Sequence, residues 1–161
     1  MAVVKFATHL WFDNQAEEAA RFYTALFEGS SIEKVTYAPE GIPGGVRAGS
    51  PFVVDLTLMG QKYIFLNGGP EFPFNAQVSL YVLCDSQADV DRYWDALLAD
   101  GGAPQQCGWL TDRFGLSWQV IPVQLERLMG DPDPEVAQRV TEAMLTMVKI
   151  DVAGLEAAAR G

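Results

Sequence analysis

The chain is 161 residues long, 49% apolar, with a formal net charge of −10; this suits one domain with a real core. The charge, with no basic cluster to offset it, argues against nucleic acid phosphates and anionic lipid as partners. Two cysteines, Cys84 and Cys107, exclude a disulfide framework and a cysteine-built zinc cluster and are expected to be thiols.

The opening "MAVVKFATHLWFD" lacks the basic region, long apolar segment and cleavage site of a signal peptide, and no apolar run is long enough to span a bilayer. The expectation is a cytoplasmic protein that binds a small molecule or another protein. From residue 9, "HLWFDNQAEEAARFYTALFEGS" reads as a short apolar strand, a polar turn and a helix near 15–28. Ala16, Ala19, Phe22, Tyr23, Leu26 and Phe27 recur at helical spacing, and Asn14 with Glu17 can form a capping box. "SIEKVTYA", "FVVDLTLMG" and "QKYIFLNGG" then read as strands, the first two separated by the Gly/Pro-rich loop "PEGIPGGVRAGS", a connection or a lid.

At residue 80 the plan begins again. "LYVLCDSQADVDRYWDALLADGG" gives a strand, Ser86 and Asp89 in cap positions, and a helix near 87–100 with Val90, Tyr93, Trp94, Leu97 and Leu98 on one face. Both helices end at glycine, Gly29 and Gly101-Gly102, as a left-handed C-terminal residue requires. "APQQCGWLTD" and "GLSWQVIP" complete a second, compressed β-α-β-β-β unit, with Asp112-Arg113 at the hairpin turn. The repeat, about 70 residues, is too long for a solenoid and suggests two pseudo-symmetric halves. After Val123 come a short helical turn and a helix starting near Pro134, with Val136, Val140, Ala143, Met144 and Met147 as its apolar stripe. That stripe packs on the core or on a second subunit.

The stretches "LWFDNQAEEAARFYTALF", "FLNGGPEFPFN", "CDSQADVDRYWDALLADGG", "QQCGWLTDRFGLSWQVIP" and "TEAMLTMVKIDVAGLEAA" resemble the PhnB-like branch of the glyoxalase, bleomycin-resistance and dioxygenase (vicinal-oxygen-chelate) superfamily. Members of this branch often carry the label 3-demethylubiquinone 3-methyltransferase. The resemblance implies an α+β fold of two βαβββ modules, about 1–75 and 76–122, with curved sheets around a cleft and a helical tail over 123–161. It also implies a homodimer. The methyltransferase label meets a physical objection. S-adenosylmethionine sites need a strand, a glycine-rich turn and a helix N-terminus, whereas "GGVRAG" precedes a strand and "NGG" leads into Pro70 and Phe72.

Superfamily enzymes hold a divalent metal on His and Glu from both modules, leaving positions open for substrate oxygens. The resemblance places His9, the chain's single histidine, near the first ligand position, Gln77 or Ser79 at the second, and Gln119 where relatives carry glutamate. Neutral amides and hydroxyls do not offset the cost of dehydrating an ion. The expectation is therefore no functional metal and no cofactor, with His9 and Gln119 as degenerate ligand positions. The expected ligand-binding residues are His9, Trp11, Gln77, Ser79, Trp118 and Gln119. Core packing competes with ligand contact for Trp109 and Trp118, and a backbone or Gln119 partner competes for His9. Cys107 has no second histidine to activate it. The leading reading is a small-molecule-binding protein of unassigned reaction. The alternatives are a metal-dependent glyoxalase or dioxygenase, a ligand-sequestering protein of the resistance type, and a methyltransferase.

Overall fold

The computed structural model describes residues 6–161, which divide into two compact units between Phe74 and Asn75. In the first unit the order is β1 (Thr8–Phe12), α1 (Ala16–Leu26), β2 (Ser31–Tyr37), β3 (Pro51–Leu58) and β4 (Gln61–Asn67). The strands make one sheet in the order β1-β4-β3-β2, with β1 parallel to β4 and the other pairs antiparallel. Period-two alternation sends Leu10 and Phe12, Val54, Leu56 and Leu58, and Tyr63 and Phe65 to a buried face. Helix α1 contributes Ala16, Ala19, Ala20 and Tyr23. Three alanines let its backbone approach the sheet, and Tyr23 meets Phe65 edge-on at 6.0 Å. Burial of large rings here is worth roughly 1.5–3 kcal/mol per side chain. The opposite face carries His9, Trp11, Ile64, Leu66, Val53 and Asp55.

The capping box expected of Asn14 and Glu17 does not form. Gln15 is the N-cap residue and makes no side-chain cap. The first helical N–H, that of Ala16, donates instead to Oδ1 of Asn67 at 2.8 Å, while Asn67 Nδ2 donates to the Pro51 carbonyl. A buried amide at the end of β4 thus caps a helix 51 residues earlier in the chain. The hairpin between β3 and β4 turns through Met59 and Gly60, both at positive φ, as a two-residue turn matched to strand twist requires.

The second unit repeats the topology: β5 (Ser79–Cys84), α2 (Gln87–Leu98), β6 (Ala103–Pro104), β7 (Trp109–Thr111) and β8 (Ser117–Pro122) form a sheet in the order β5-β8-β7-β6. Strands β5 and β8 are parallel and the others antiparallel. Here the expected cap holds: Ser86 accepts from Asp89 N. Val90, Trp94 and Leu97 of α2 are buried, as are Val82, Cys84, Leu110, Trp118 and Val120 of the sheet.

Three helices follow: α3 (Val123–Met129), α4 (Pro134–Leu145) and α5 (Val152–Arg160). Asp133 caps α4 and Pro134 opens it, as expected. The apolar stripe is covered within the unit: Ile121, Leu125, Val140, Ile150 and Leu155 form a core cluster on which Val136, Met144 and Met147 pack. The tail is tied down by polar contacts as well. Gln87 donates to the Ile150 carbonyl and accepts from Val152 N, and Arg139 donates to the Ala158 and Ala159 carbonyls at the end of α5. Among the described residues no helix is long and apolar enough to cross a membrane.

Candidate functional site

The hairpin of β7 and β8 is organised from inside its own turn. Asp112, 4% exposed, accepts hydrogen bonds from Phe114 N at 2.9 Å and Leu116 N at 3.1 Å on Oδ1, and from Trp118 Nε1 at 2.7 Å on Oδ2. A carboxylate accepting several N–H groups is a strong local organiser. It fixes the loop and holds the Trp118 indole in the core. The next residue, Arg113, pairs with Asp100 at 3.3 Å and lies over the Phe114 ring.

With Trp118 turned inward, alternation sends Ser117, Gln119 and Ile121 to the other face of β8. The register completes that face. Ser79 and Thr111 lie opposite Ser117, and Tyr81 and Trp109 lie opposite Gln119. Gln119 Nε2 donates to Ser79 Oγ at 2.9 Å. Ser117 is 1% exposed and its hydroxyl has no hydrogen-bond partner. Tyr81 donates to Glu126 Oε1 at 2.9 Å. Its phenol is pushed up to about 12, first by burial and then by the hydrogen bond and charge of Glu126. No residue of β5, β7 or β8 is charged.

The structure brings together two of the residues named from sequence, Ser79 and Gln119. Gln77 is exposed and lies before β5 begins, its N–H donating to Asn75 Oδ1 in a turn. Trp118 sits on the face opposite Gln119, buried and hydrogen-bonded to Asp112. His9 and Trp11 belong to the first unit. His9 is exposed on β1, in one row with Ile64 of β4 and Asp55 of β3. Trp11 Nε1 donates to the Gly69 carbonyl at 2.8 Å, and its ring stands edge-on to Phe72. A Cβ on Gly68 would lie 2.2 Å from that indole, so the turn after β4 is shaped around Trp11.

Sequence reasoning did not find Ser117 or the depth of Asp112. Counting by two from Gln119 would have found the serine. It also missed a cavity of about 270 Å³ in the first unit, lined in part by Asn14, Arg47, Ser50 and Asn67. Gly44, Gly45, Val46 and Arg47 of the loop marked as glycine-rich line this space. The neck of the loop is joined by Ala38 N to the Ser50 carbonyl and Gly49 N to the Ala38 carbonyl.

The donor set does not fit a divalent ion. Gln119 and Ser79 are neutral and bonded to each other, no carboxylate joins them, and among the described residues no group of three His, Cys, Asp or Glu side chains could hold a metal. Cys84 is buried and its thiol is pushed up to about 11, mainly by burial and further by Asp89 and Asp85, which suppresses the thiolate. Cys107 has a left-handed backbone, and its N–H donates to the Met147 carbonyl.

The sequence profile of the 3-demethylubiquinone-9 3-methyltransferase family matches residues 4–121. The chain belongs to this family. Among solved structures, a PhnB protein of Bacillus cereus is 32% identical, with 74% of this chain and 100% of that one covered and a TM-score of 0.66. A protein of Pseudomonas aeruginosa, 21% identical over 74% of this chain and 98% of its own, shares the fold at a TM-score of 0.59. A glyoxylase/bleomycin resistance protein/dioxygenase domain from Frankia sp. EAN1pec is 12% identical, with 75% and 93% covered and a TM-score of 0.47. No curated protein matches the chain. The family match ends at residue 121, so α3, α4 and α5 lie beyond it. Neither sheet has the run of parallel strands on which dinucleotide-type cofactor sites are built; in each the single parallel pair, β1 with β4 or β5 with β8, adjoins antiparallel strands.

Proposed function

We propose that this chain is a PhnB-like protein that binds a small molecule without a metal, and that the uncharged face of the second sheet is part of its binding surface. The observation that carries the reading is the Gln119–Ser79 hydrogen bond. Where metal-binding relatives are expected to place glutamate, an amide is satisfied by a hydroxyl. Such a pair can exchange its hydrogen bond for one to a ligand, but it cannot compensate a dication's lost hydration. The family's methyltransferase label finds no support in the topology.

The test has two parts. Gln119→Glu introduces the missing anionic group. On this reading the wild type shows no one-to-one binding of nickel or zinc by calorimetry, and the variant binds more tightly. Tight stoichiometric binding by the wild type would overturn the metal-free reading. A thermal-shift screen of chemically diverse compounds then tests binding itself. A ligand at 100 times its dissociation constant adds about 2.7 kcal/mol, a shift of roughly 5–11 °C for a chain of this size.

A further inference from the structure

The cavity of about 270 Å³ belongs wholly to the first unit, and its walls are joined through the backbone. Gly69 N donates to the Asp13 carbonyl at 3.1 Å, and the Gly69 carbonyl accepts from Trp11 Nε1. The glycine-rich loop lies directly on this turn. A Cβ at Gly44 would stand 2.7 Å from the Gly68 carbonyl oxygen, and one at Gly69 would stand 2.5 Å from that of Gly44. Both residues are at positive φ, so glycine is what permits the approach. Farther along the loop, Ser50 donates from both N and Oγ to the Arg47 carbonyl, at 3.1 and 2.6 Å. The main chain is thus tied down at Asp13 and at Arg47 while their side chains stay unused: among the described residues neither makes a hydrogen bond or an ion pair, and the same is true of the Asn14 amide. Asp13 and Arg47 are the two charged residues that line the cavity.

We propose that this cavity binds a small zwitterion of the α-amino acid type, with the ligand carboxylate on Arg47, its ammonium on Asp13, and Asn14 as a neutral donor and acceptor beside them. The site is separate from the face of the second sheet and independent of the reading given for it. The charges select the ligand class. A carboxylate without an ammonium would meet Asp13 as well as Arg47, in a chain whose net charge of −10 already repels anions. An amine without a carboxylate would meet the guanidinium. A neutral compound would take water from both charges and return no partner. A ligand that carries both charges satisfies each group in turn, the guanidinium by paired N–H donors to one carboxylate. The fixed backbone at both residues lowers the ordering cost of binding. The volume lies below the roughly 300–1,000 Å³ of drug-sized sites, which suits a single amino acid.

The full-length, nitrogen-15-labelled protein is titrated by NMR with L-serine, L-glutamine and L-leucine, each beside its desamino acid and its decarboxylated amine. At least one amino acid should move the amide signals of Asn14, Gly45 and Arg47 at millimolar concentration, and its two single-charge analogues should bind at least about tenfold more weakly. Arg47→Gln and Asp13→Asn should each weaken the amino acid by a similar factor, and Asp13→Asn should spare or strengthen the desamino acid, from which it removes a repulsion. Both replaced side chains are exposed and make no contacts that hold the fold, so each variant should keep the melting temperature of the wild type. A desamino acid that binds the wild type as tightly as its amino acid overturns the proposal. So does an unchanged amino acid affinity in either variant, which would put the ligand elsewhere, and so does the absence of any shift at these amides with all three amino acids.

Discussion

Replacing Asp112 by asparagine changes one atom of a buried side chain and reverses one hydrogen bond. The Oδ1 contacts to Phe114 N and Leu116 N survive, because the asparagine carbonyl accepts as the carboxylate did. The Oδ2 position becomes an amide nitrogen facing the Trp118 N–H at 2.7 Å, a donor against a donor. A lost charge-assisted hydrogen bond with its donor left buried costs about 1.5–3 kcal/mol. For a chain of this size that lowers the melting temperature by roughly 3–12 °C. Asp112→Ala leaves three N–H groups without acceptors and should cost more, about 3–5 kcal/mol after the usual non-additivity. The decisive experiment is the double-mutant cycle with Trp118→Phe, which removes the opposing donor. Measured by guanidinium unfolding, Asp112→Asn should be milder in the Trp118→Phe background by at least about 1 kcal/mol, above the roughly 0.3–0.5 kcal/mol scatter of independent sites. Strictly additive effects would mean that the two side chains do not act on each other and that the hairpin is held by something else.

Three further expectations use other parts of the molecule. Cys84, buried with its thiol pushed up to about 11, should resist alkylation by iodoacetamide at pH 8 in the native protein and react promptly in denaturant; equal rates in both would refute its burial. Asp91, held below the ordinary carboxylate range first by its hydrogen bond to Lys149 and then by Gln87, contributes stability that is present above the unfolded carboxylate value and lost as pH falls through the folded one. Unfolding measured below about pH 4 should therefore show a small loss that Asp91→Asn abolishes, kept under about 1 kcal/mol by exposure; a loss that persists in the variant assigns it to another group. The homodimer implied by the family resemblance predicts sedimentation at twice the 17.6 kDa chain mass, and a monomer at micromolar concentration would refute it.

Legibility followed range. The doubled β-α-β-β-β plan could be read because periodicity and glycine punctuation are local, although "APQQCGWLTD", read as one strand, divides into the short strands β6 and β7. Caps divide along the same line. Ser86 and Asp89 act within one turn and were foreseeable, whereas α1 takes its cap from Asn67, brought there only when β4 pairs with β1. The site shows the same limit. Gln119 and Ser79 were named, but the choice of Ser79 over Gln77 depends on where β5 starts. The inward turn of Trp118 depends on the Asp112 carboxylate, which the sequence places only at a hairpin turn. Strand alternation then decides the rest, so one fixed tryptophan determines which side chains of β8 share the face of Gln119, where Ser117 and Ile121 are buried and Gln119 is half-buried.

The tail has a consequence beyond packing. Met147 and Val148 accept the N–H groups of Cys107 and Gly108 at 2.8 and 2.7 Å, and a Cβ at Gly108 would press on both Ile121 and Ile150. The segment outside the family match thus grips the base of the hairpin that presents Trp109 and Gln119. Opening the tail removes both acceptors together, so amide exchange at Cys107 and Gly108 should report that opening.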